Sequence, residues 1–350
     1  MNLASVTPVI ILFAASFFAS LFGVTFFTRW SLSRGLLDVP NERSSHSMLT
    51  PRGGGLVIVL VCLIGYLVIG FGLGLPISWG YFVGALLVAG ISWLDDLYSL
   101  PFWSRLIVHI AAAVVLVWDT GFWSELVLPL ISVDIYFGQI LGLLFTVGWI
   151  VWLLNAYNFM DGIDGIAALQ ALISCVAWAV LASALNMPSA FLLSGIVASS
   201  SAGFLFHNWQ PAKIFMGDVG SAFLGFTLAA MPLLARAETQ LNTPILPVVA
   251  ILFVWFFVFD TAFTIIRRLL GKKRVWEAHR EHIYQKLIIE GKDHSTVTLI
   301  YGFASAFLCT LVLLAIILSG IFPWLALLAL LLLTLLVTYL GTRKKVDVSG

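Results

Sequence analysis

Long apolar runs separated by short polar breaks dominate the chain. A helix needs roughly 20 residues to cross a hydrocarbon core of about 30 Å. Runs of that kind fall at 8–28, 54–74, 80–95, 104–118, 137–155, 165–185, 189–208, 219–235, 244–266, 296–319 and 322–341. The pattern predicts an all-α polytopic integral membrane protein of about eleven transmembrane helices. One transmembrane domain fills residues 1–350, with its core at 8–341, and no soluble domain of ordinary size is left over. The first run begins without a positive charge and is followed at once by Arg29 and Arg34, so it reads as an uncleaved span rather than a signal peptide.

Composition agrees: 61% of residues are hydrophobic, 10% are charged and the mean hydropathy is +1.06, against about 25% charged in soluble domains. Cys62, Cys175 and Cys309 each lie alone in an apolar run, without disulfide or zinc spacing, and read as packing residues. Charge then orients the chain. If loops alternate sides, every Lys and Arg except Arg236 falls on one face: Arg29, Arg34, Arg43 and Arg52 in the first loop, Arg105 in the third, Lys213 in the seventh, Arg267 to Lys292 in the ninth, and Arg343, Lys344 and Lys345 after the last span. By the positive-inside rule that face is cytoplasmic, with the amino terminus outside and the carboxyl terminus inside.

The acids follow the cations. Asp95-Asp96, Asp161-Gly-Ile-Asp164 and Asp218 all fall at span ends on that same face. One Asp at a helix end is commonly a cap that meets water. Three such clusters with little compensating Lys nearby would repel one another unless a cation gathers them, and hard cations such as Mg²⁺ take one or two carboxylates together with substrate phosphates.

In NAYNFMDGIDG the polar residues Asn155, Asn158, Asp161 and Asp164 recur every third position and share a helical face. An EF-hand is excluded, because its alternating oxygen ligands and closing Glu are missing. In the seventh loop, HNWQPAKIFMGDVGSAFLGF, Asp218 sits among glycines where an apolar run restarts, near a helix N-terminus whose amides favour anions. The ninth loop carries Arg280 and His282, which fit an anion-binding edge. His279 and His282 lack a third soft ligand for a metal, and Arg267 to Arg274 read as contacts for anionic lipid headgroups. Together these features imply Mg²⁺-assisted chemistry on a phosphate-bearing substrate at the membrane surface.

LDD (Leu94–Asp96), NAYNFMDGIDG (Asn155–Gly165), PAKIFMGDVGS (Pro211–Ser221) and the Arg-x-His of HREHIYQKL resemble the polyprenyl-phosphate N-acetylhexosamine-1-phosphate transferases, over most of the chain from TPRGGG (Thr50–Gly55) onward. The span count is similar to the WecA-like branch that starts lipopolysaccharide O-antigen and related glycans. The resemblance implies transfer of N-acetylhexosamine 1-phosphate from a UDP-N-acetylsugar to undecaprenyl phosphate in the bacterial inner membrane, releasing UMP. Mg²⁺ is the implied cofactor, with Mn²⁺ as a substitute. The implied partners are the two substrates and membrane lipid, with no nucleic acid and with a homo-oligomer left open.

Carried over by motif, Asp95, Asp96, Asp161 and Asp164 are the catalytic carboxylates, with Asp95 and Asp96 beside the lipid phosphate. Asp218 is the metal ligand, joined by Asp95. Asn155, Asn158, Lys213, Phe215, Arg280 and His282 bind substrate, with Phe215 near uracil. One departure stands out, because Tyr284 and Gln285 occupy the last two positions where the family commonly has His-x-His-His. That variant resembles WbpL-type enzymes that use 6-deoxy sugars such as N-acetylfucosamine or N-acetylquinovosamine, and it places Tyr284 and Gln285 near the sugar. The rival class is a transporter for an anionic solute, whose best witness is Asp260 in FVWFFVFDTAF. A carrier should show midplane acids and repeat-like halves, whereas nearly every acid here lies at one edge.

Overall fold

The computed structural model describes residues 3–38, 49–128, 133–238, 244–274 and 279–342; Arg43, Arg343, Lys344 and Lys345, used above for orientation, lie outside them. The chain is a multi-pass helical membrane protein. Its spanning helices are α1 (Leu3–Arg34), α2 (Gly55–Leu67, continued by a wider turn to Gly72), α3 (Trp79–Tyr98), α4 (Phe102–Thr120), α5 (Gly138–Met160), α6 (Ile166–Ala184), α7 (Pro188–Asn208), α8 (Asp218–Glu238), the pair α9 (Leu246–Phe253) and α10 (Trp255–Leu270), α12 (His294–Ile317) and α13 (Phe322–Thr342). A short α11 (Ile283–Ile289) precedes α12. Among the described residues ten single helices are long and apolar enough to cross a membrane, and the α9–α10 pair makes an eleventh if counted as one broken span.

That pair corrects the straight ninth helix expected at 244–266, because it bends by 78°. The run contains no glycine and no proline beyond Pro247, so nothing in the sequence announces the break. Beyond the bend Phe257 N–H donates to Val254 O at 3.1 Å. The Phe253 carbonyl instead accepts from Gln170 Nε2 at 3.0 Å and Ser174 Oγ at 2.8 Å. Irregular backbone at membrane depth persists where neighbouring helices answer its polar groups, and α6 does so here.

Helix α8 is the axis of the bundle: 94% of its apolar window is buried, against 17% in α1 and 22% in α13. Between membrane helices close approach comes from small residues rather than from hydrophobic exclusion. Gly225 illustrates this, since a Cβ there would lie 2.7 Å from Tyr157 Cβ and 2.8 Å from Leu154 Cα. Polar pairs add specificity: Trp149 Nε1 donates to Ala229 O at 3.3 Å, and the Tyr81 and Thr227 hydroxyls meet at 3.0 Å.

Two small antiparallel ladders complete the fold, β1 (Leu37–Asp38) with β2 (Thr50–Pro51), and a hairpin of β3 (Glu125–Leu128) and β4 (Val133–Tyr136) on the far side of the bundle from the acidic motifs. Beyond β2 the TPRGGG segment clasps the loop before α8. Phe215 N–H donates to Pro51 O (2.8 Å), Gly54 N–H to Phe215 O (3.0 Å) and Gly55 N–H to Met216 O (2.8 Å). The glycines are required by proximity, because a Cβ on Gly55 would overlap the Cα of Gly220.

Candidate active site

The acidic motifs converge at one end of the bundle, where α3, α5 and α7 end and α4, α6 and α8 begin. Ser99, in the left-handed region at φ 51°, stops α3 just after the acidic pair. Asp95 is buried and ties the turn to α4: its Oδ1 accepts from Leu100 N–H at 2.6 Å, and its Oδ2 meets Arg105 Nη1 at 2.5 Å. Asp96 is buried and turned toward α8, whose first two amides, Asp218 N–H and Val219 N–H, donate to its Oδ1 and Oδ2 at 3.0 Å each. Those are the amides that looked available to a phosphate. A carboxylate from another helix already caps them, and an Arg52 Nη2 donor on the Asp96 carbonyl holds the cap in place.

Asp218 opens α8, and its Oδ2 lies 3.1 Å from the same Arg105 Nη1. Gly217 before it, at φ 77°, leaves no room for a side chain, since a Cβ would lie 2.7 Å from Asp96 Oδ2. In the segment leading to it Ile214 and Met216 are buried while Phe215 is half-buried and Lys213 exposed, an alternation that matches extended backbone. Phe215 and Lys213 therefore lie at the rim of the acidic centre.

At the end of α5, Asn158 Nδ2 donates to Ser221 Oγ of α8 at 2.9 Å, whereas Asn155 one turn earlier donates to Val151 O at 2.7 Å within its own helix. Asp161 follows the helix end. Burial, then the nearby charges of Asp218, Asp96 and Asp164, push its carboxyl up from 3.8 to about 8. Asp164, expected among the catalytic carboxylates, is tied to neighbouring elements through both of its oxygens and its carbonyl. Its Oδ2 accepts from Ala212 N–H at 3.0 Å, its Oδ1 lies 3.2 Å from His294 Nδ1, and its carbonyl accepts from Thr298 Oγ1 at 2.8 Å. Asn208 Oδ1 takes the next amide, Gly165 N–H, at 3.0 Å.

The basic loop is organised by Asp260, the residue that looked most like a carrier's midplane acid. Fully buried on α10, it accepts from Ile283 N–H (2.8 Å), Tyr284 N–H (3.1 Å), Tyr301 O–H (2.7 Å) and Thr264 O–H (3.2 Å), and sits 3.2 Å from His282 Nδ1. It caps α11 and fixes His282, with Arg280 two residues before. The cations expected at lipid headgroups are partly engaged within the protein. Buried Arg268 donates to Glu281 Oε1 and to Arg274 O at 2.6 Å each, Lys273 Nζ lies 3.0 Å from Glu281 Oε1, and Arg267 donates to the Glu281 carbonyl. Glu281, in the same loop, offsets part of their charge. His279 beside it is pushed down to about 4 by burial, then by His282 and Arg268.

The departure residues are both engaged within the protein. Tyr284 is fully buried, its hydroxyl donates to Phe159 O at 3.0 Å, and a Cβ on Gly162 would overlap that hydroxyl. Gln285 Oε1 accepts from His282 N–H at 3.3 Å, completing the cap of α11. Tyr284 holds the loop against the Asp161 turn, and Gln285 closes the cap within the loop.

Among the described residues no group of three or more His, Cys, Asp or Glu is arranged to hold a metal ion. The pair Asp95 and Asp218 does converge, through Oδ2 atoms that share one Arg105 nitrogen. Two hard oxygens at one point are of the kind that Mg²⁺ takes together with substrate phosphates. Arg105 and Arg52 entered the sequence reading only as markers of topology. Their proline and glycine neighbours were the available signal that each is held at a span end.

A family model described as "Glycosyl transferase family 4" matches residues 78–236. The chain is 31% identical over 321 residues to "Probable undecaprenyl-phosphate N-acetylglucosaminyl 1-phosphate transferase" of Bacillus subtilis (strain 168), covering 91% of this chain and 87% of that protein. It is 31% identical over 297 residues to "Decaprenyl-phosphate N-acetylglucosaminephosphotransferase" of Mycobacterium tuberculosis H37Rv, covering 76% and 72%. A more distant similarity, 32% over 242 residues and covering 64% and 72%, is to "Phospho-N-acetylmuramoyl-pentapeptide-transferase" of Lactiplantibacillus plantarum.

Proposed function

The chain belongs to glycosyl transferase family 4, and from that premise we propose that this membrane phospho-sugar transferase moves N-acetylglucosamine 1-phosphate from UDP-N-acetylglucosamine to undecaprenyl phosphate. An oxygen of the lipid phosphate attacks the sugar-bearing phosphorus of the nucleotide, the bond to the uridylyl phosphate breaks, and UMP leaves. The product is a pyrophosphate-linked lipid that starts a cell-envelope glycan. The observation that carries this reading is the convergence of Asp95, Asp96, Asp161 and Asp218 from three loops onto one end of the bundle, beside a basic loop.

Phosphoryl transfer asks a protein mainly for positioning and charge neutralisation. Asp218 and Asp95 would hold Mg²⁺, which when bound offsets the charge of the converging phosphates. Asp96 keeps Asp218 at the mouth of α8, while Asn158 fixes Ser221 one turn further on. Arg280 presents the basic edge to the diphosphate, with buried His282 behind it held by Asp260, and Phe215 offers a ring to the base. The site faces the cytoplasm, with the amino terminus outside and the carboxyl terminus inside, so a lipid acceptor reaches it without leaving the bilayer. The burial of Tyr284 removes the reason for placing a 6-deoxy sugar beside it, and the relatives named for N-acetylglucosamine support the 6-hydroxy sugar.

The test is purified protein with undecaprenyl phosphate, Mg²⁺ and a panel of UDP-N-acetylhexosamines that includes the fucose and quinovose forms, reading UMP and lipid product. UMP release from UDP-N-acetylglucosamine is expected to be fastest. A folded preparation that releases no UMP from any donor would sink the proposal.

A further inference from the structure

At the centre of the acidic cluster sits a cation that the chain supplies itself. One atom, Arg105 Nη1, lies 2.5 Å from Asp95 Oδ2 and 3.1 Å from Asp218 Oδ2. A divalent ion shared by the same two oxygens would take that place. Elsewhere on the guanidinium the Nε–H is buried and has no hydrogen-bond partner, an unfavourable state for a buried donor. The backbone around it is held by a separate bond, Leu100 N–H donating to Asp95 Oδ1 at 2.6 Å. The long arginine side chain can therefore turn away without disturbing the α3–α4 corner.

We propose that Arg105 is a resident counter-cation, which occupies the metal position between Asp95 and Asp218 in the resting protein and yields it to the divalent ion. The proposal rests on the metal reading given above. It makes Arg105 a positioning residue, one that keeps the two carboxylates from repelling each other and gates metal entry. Two positive charges on the same pair of oxygens repel, so the guanidinium and the ion exclude each other.

The experiment is Mn²⁺ binding followed by electron paramagnetic resonance on the full chain in detergent, without substrates. Arg105→Gln should bind Mn²⁺ roughly tenfold more tightly than the native protein, since a competing charge is gone, while Arg105→Lys, which keeps the charge, should stay close to native. A residue that merely supported the fold would give the opposite sign. Asp218→Asn should lose Mn²⁺ binding. Unchanged or weaker binding in Arg105→Gln, with Asp218→Asn still losing it, overturns this proposal alone. Native affinity in Asp218→Asn removes the metal reading and the proposal with it. A second measurement needs no variant: saturating Mn²⁺ should raise the rate at which phenylglyoxal modifies Arg105, read by peptide mass, and an unchanged or lower rate overturns the exchange.

Discussion

Asp260 and the group of acids gathered at the ends of α3 and α5 and the start of α8 differ in how fully their charge is answered. Asp260 has donors on both oxygens, Ile283 N–H and Thr264 O–H on one, Tyr284 N–H and Tyr301 O–H on the other, with His282 beside it. The cluster of Asp95, Asp96, Asp161 and Asp218 is crowded, and one arginine nitrogen serves two of its members. A fully bonded buried charge holds a structure together, whereas a crowded one lies in wait for a cation. The difference separates scaffold from chemistry more reliably than position in the membrane, which had made Asp260 look like a carrier's acid.

The sharpest way to break the comparison is Asp218→Asn, which keeps shape and removes charge. Turnover should fall by about a thousandfold or more, the scale on which charge-neutralising groups act in phosphoryl transfer, while thermal unfolding in detergent moves little. Retained turnover at ordinary Mg²⁺ would place the metal elsewhere. Asp260→Asn should do the reverse in kind, lowering the unfolding temperature and cutting turnover by roughly ten- to a hundredfold, because the amide cannot accept every bond the carboxylate accepts. If stability is untouched, Asp260 is not the anchor described here.

Gly162→Ala should cost about tenfold in activity by driving a methyl group into the Tyr284 hydroxyl, and adding Tyr284→Phe should restore part of it. Additive losses in that cycle would separate the two residues. A smaller effect concerns pH in metal-free protein. Asp161 has its pKa raised to about 8, so the stability its protonated form contributes is full below about 3.8 and is lost as pH rises through 8. The unfolding temperature should decline across that window, and Asp161→Asn should flatten the decline; an equal slope in the variant would exclude Asp161. The smallest expected effect is on sugar choice, where Tyr284→His with Gln285→His should leave the ratio of kcat/KM values for 6-hydroxy and 6-deoxy donors within about twofold. A larger change would reopen Tyr284 as part of the sugar pocket.

Every spanning element was legible because a run of about 20 apolar residues admits one reading. The bend at Val254 was not, since the groups that make it tolerable, Gln170 and Ser174, belong to a distant helix. The β3–β4 hairpin and α11 were hidden because their segments, four and seven residues long, have too few residues to show a period. At the site the carboxylates declared themselves by sign and side. What each one does was illegible, because Asp96 as a cap and Asp164 as a strut depend on partners more than a hundred and about fifty residues away respectively in sequence. Arg105 and Arg52 were visible only as positive charge, since a count of cations by loop says nothing about which carboxylate a side chain reaches.

The clasp between Gly54–Gly55 and Phe215–Met216 also sets an order of events during synthesis. The amino-terminal strand of the clasp and the acidic pair emerge from the ribosome well before α8, with nearly half the chain between the two sides. At 5–20 residues per second the wait is roughly ten to thirty seconds. Throughout it the glycine edge has no partner strand and Asp96 has no helix to cap. A nascent chain arrested before residue 215 therefore presents to the membrane quality-control machinery an unpaired backbone edge and an acid, Asp96, without its helix amides, features that vanish only when the axial helix arrives.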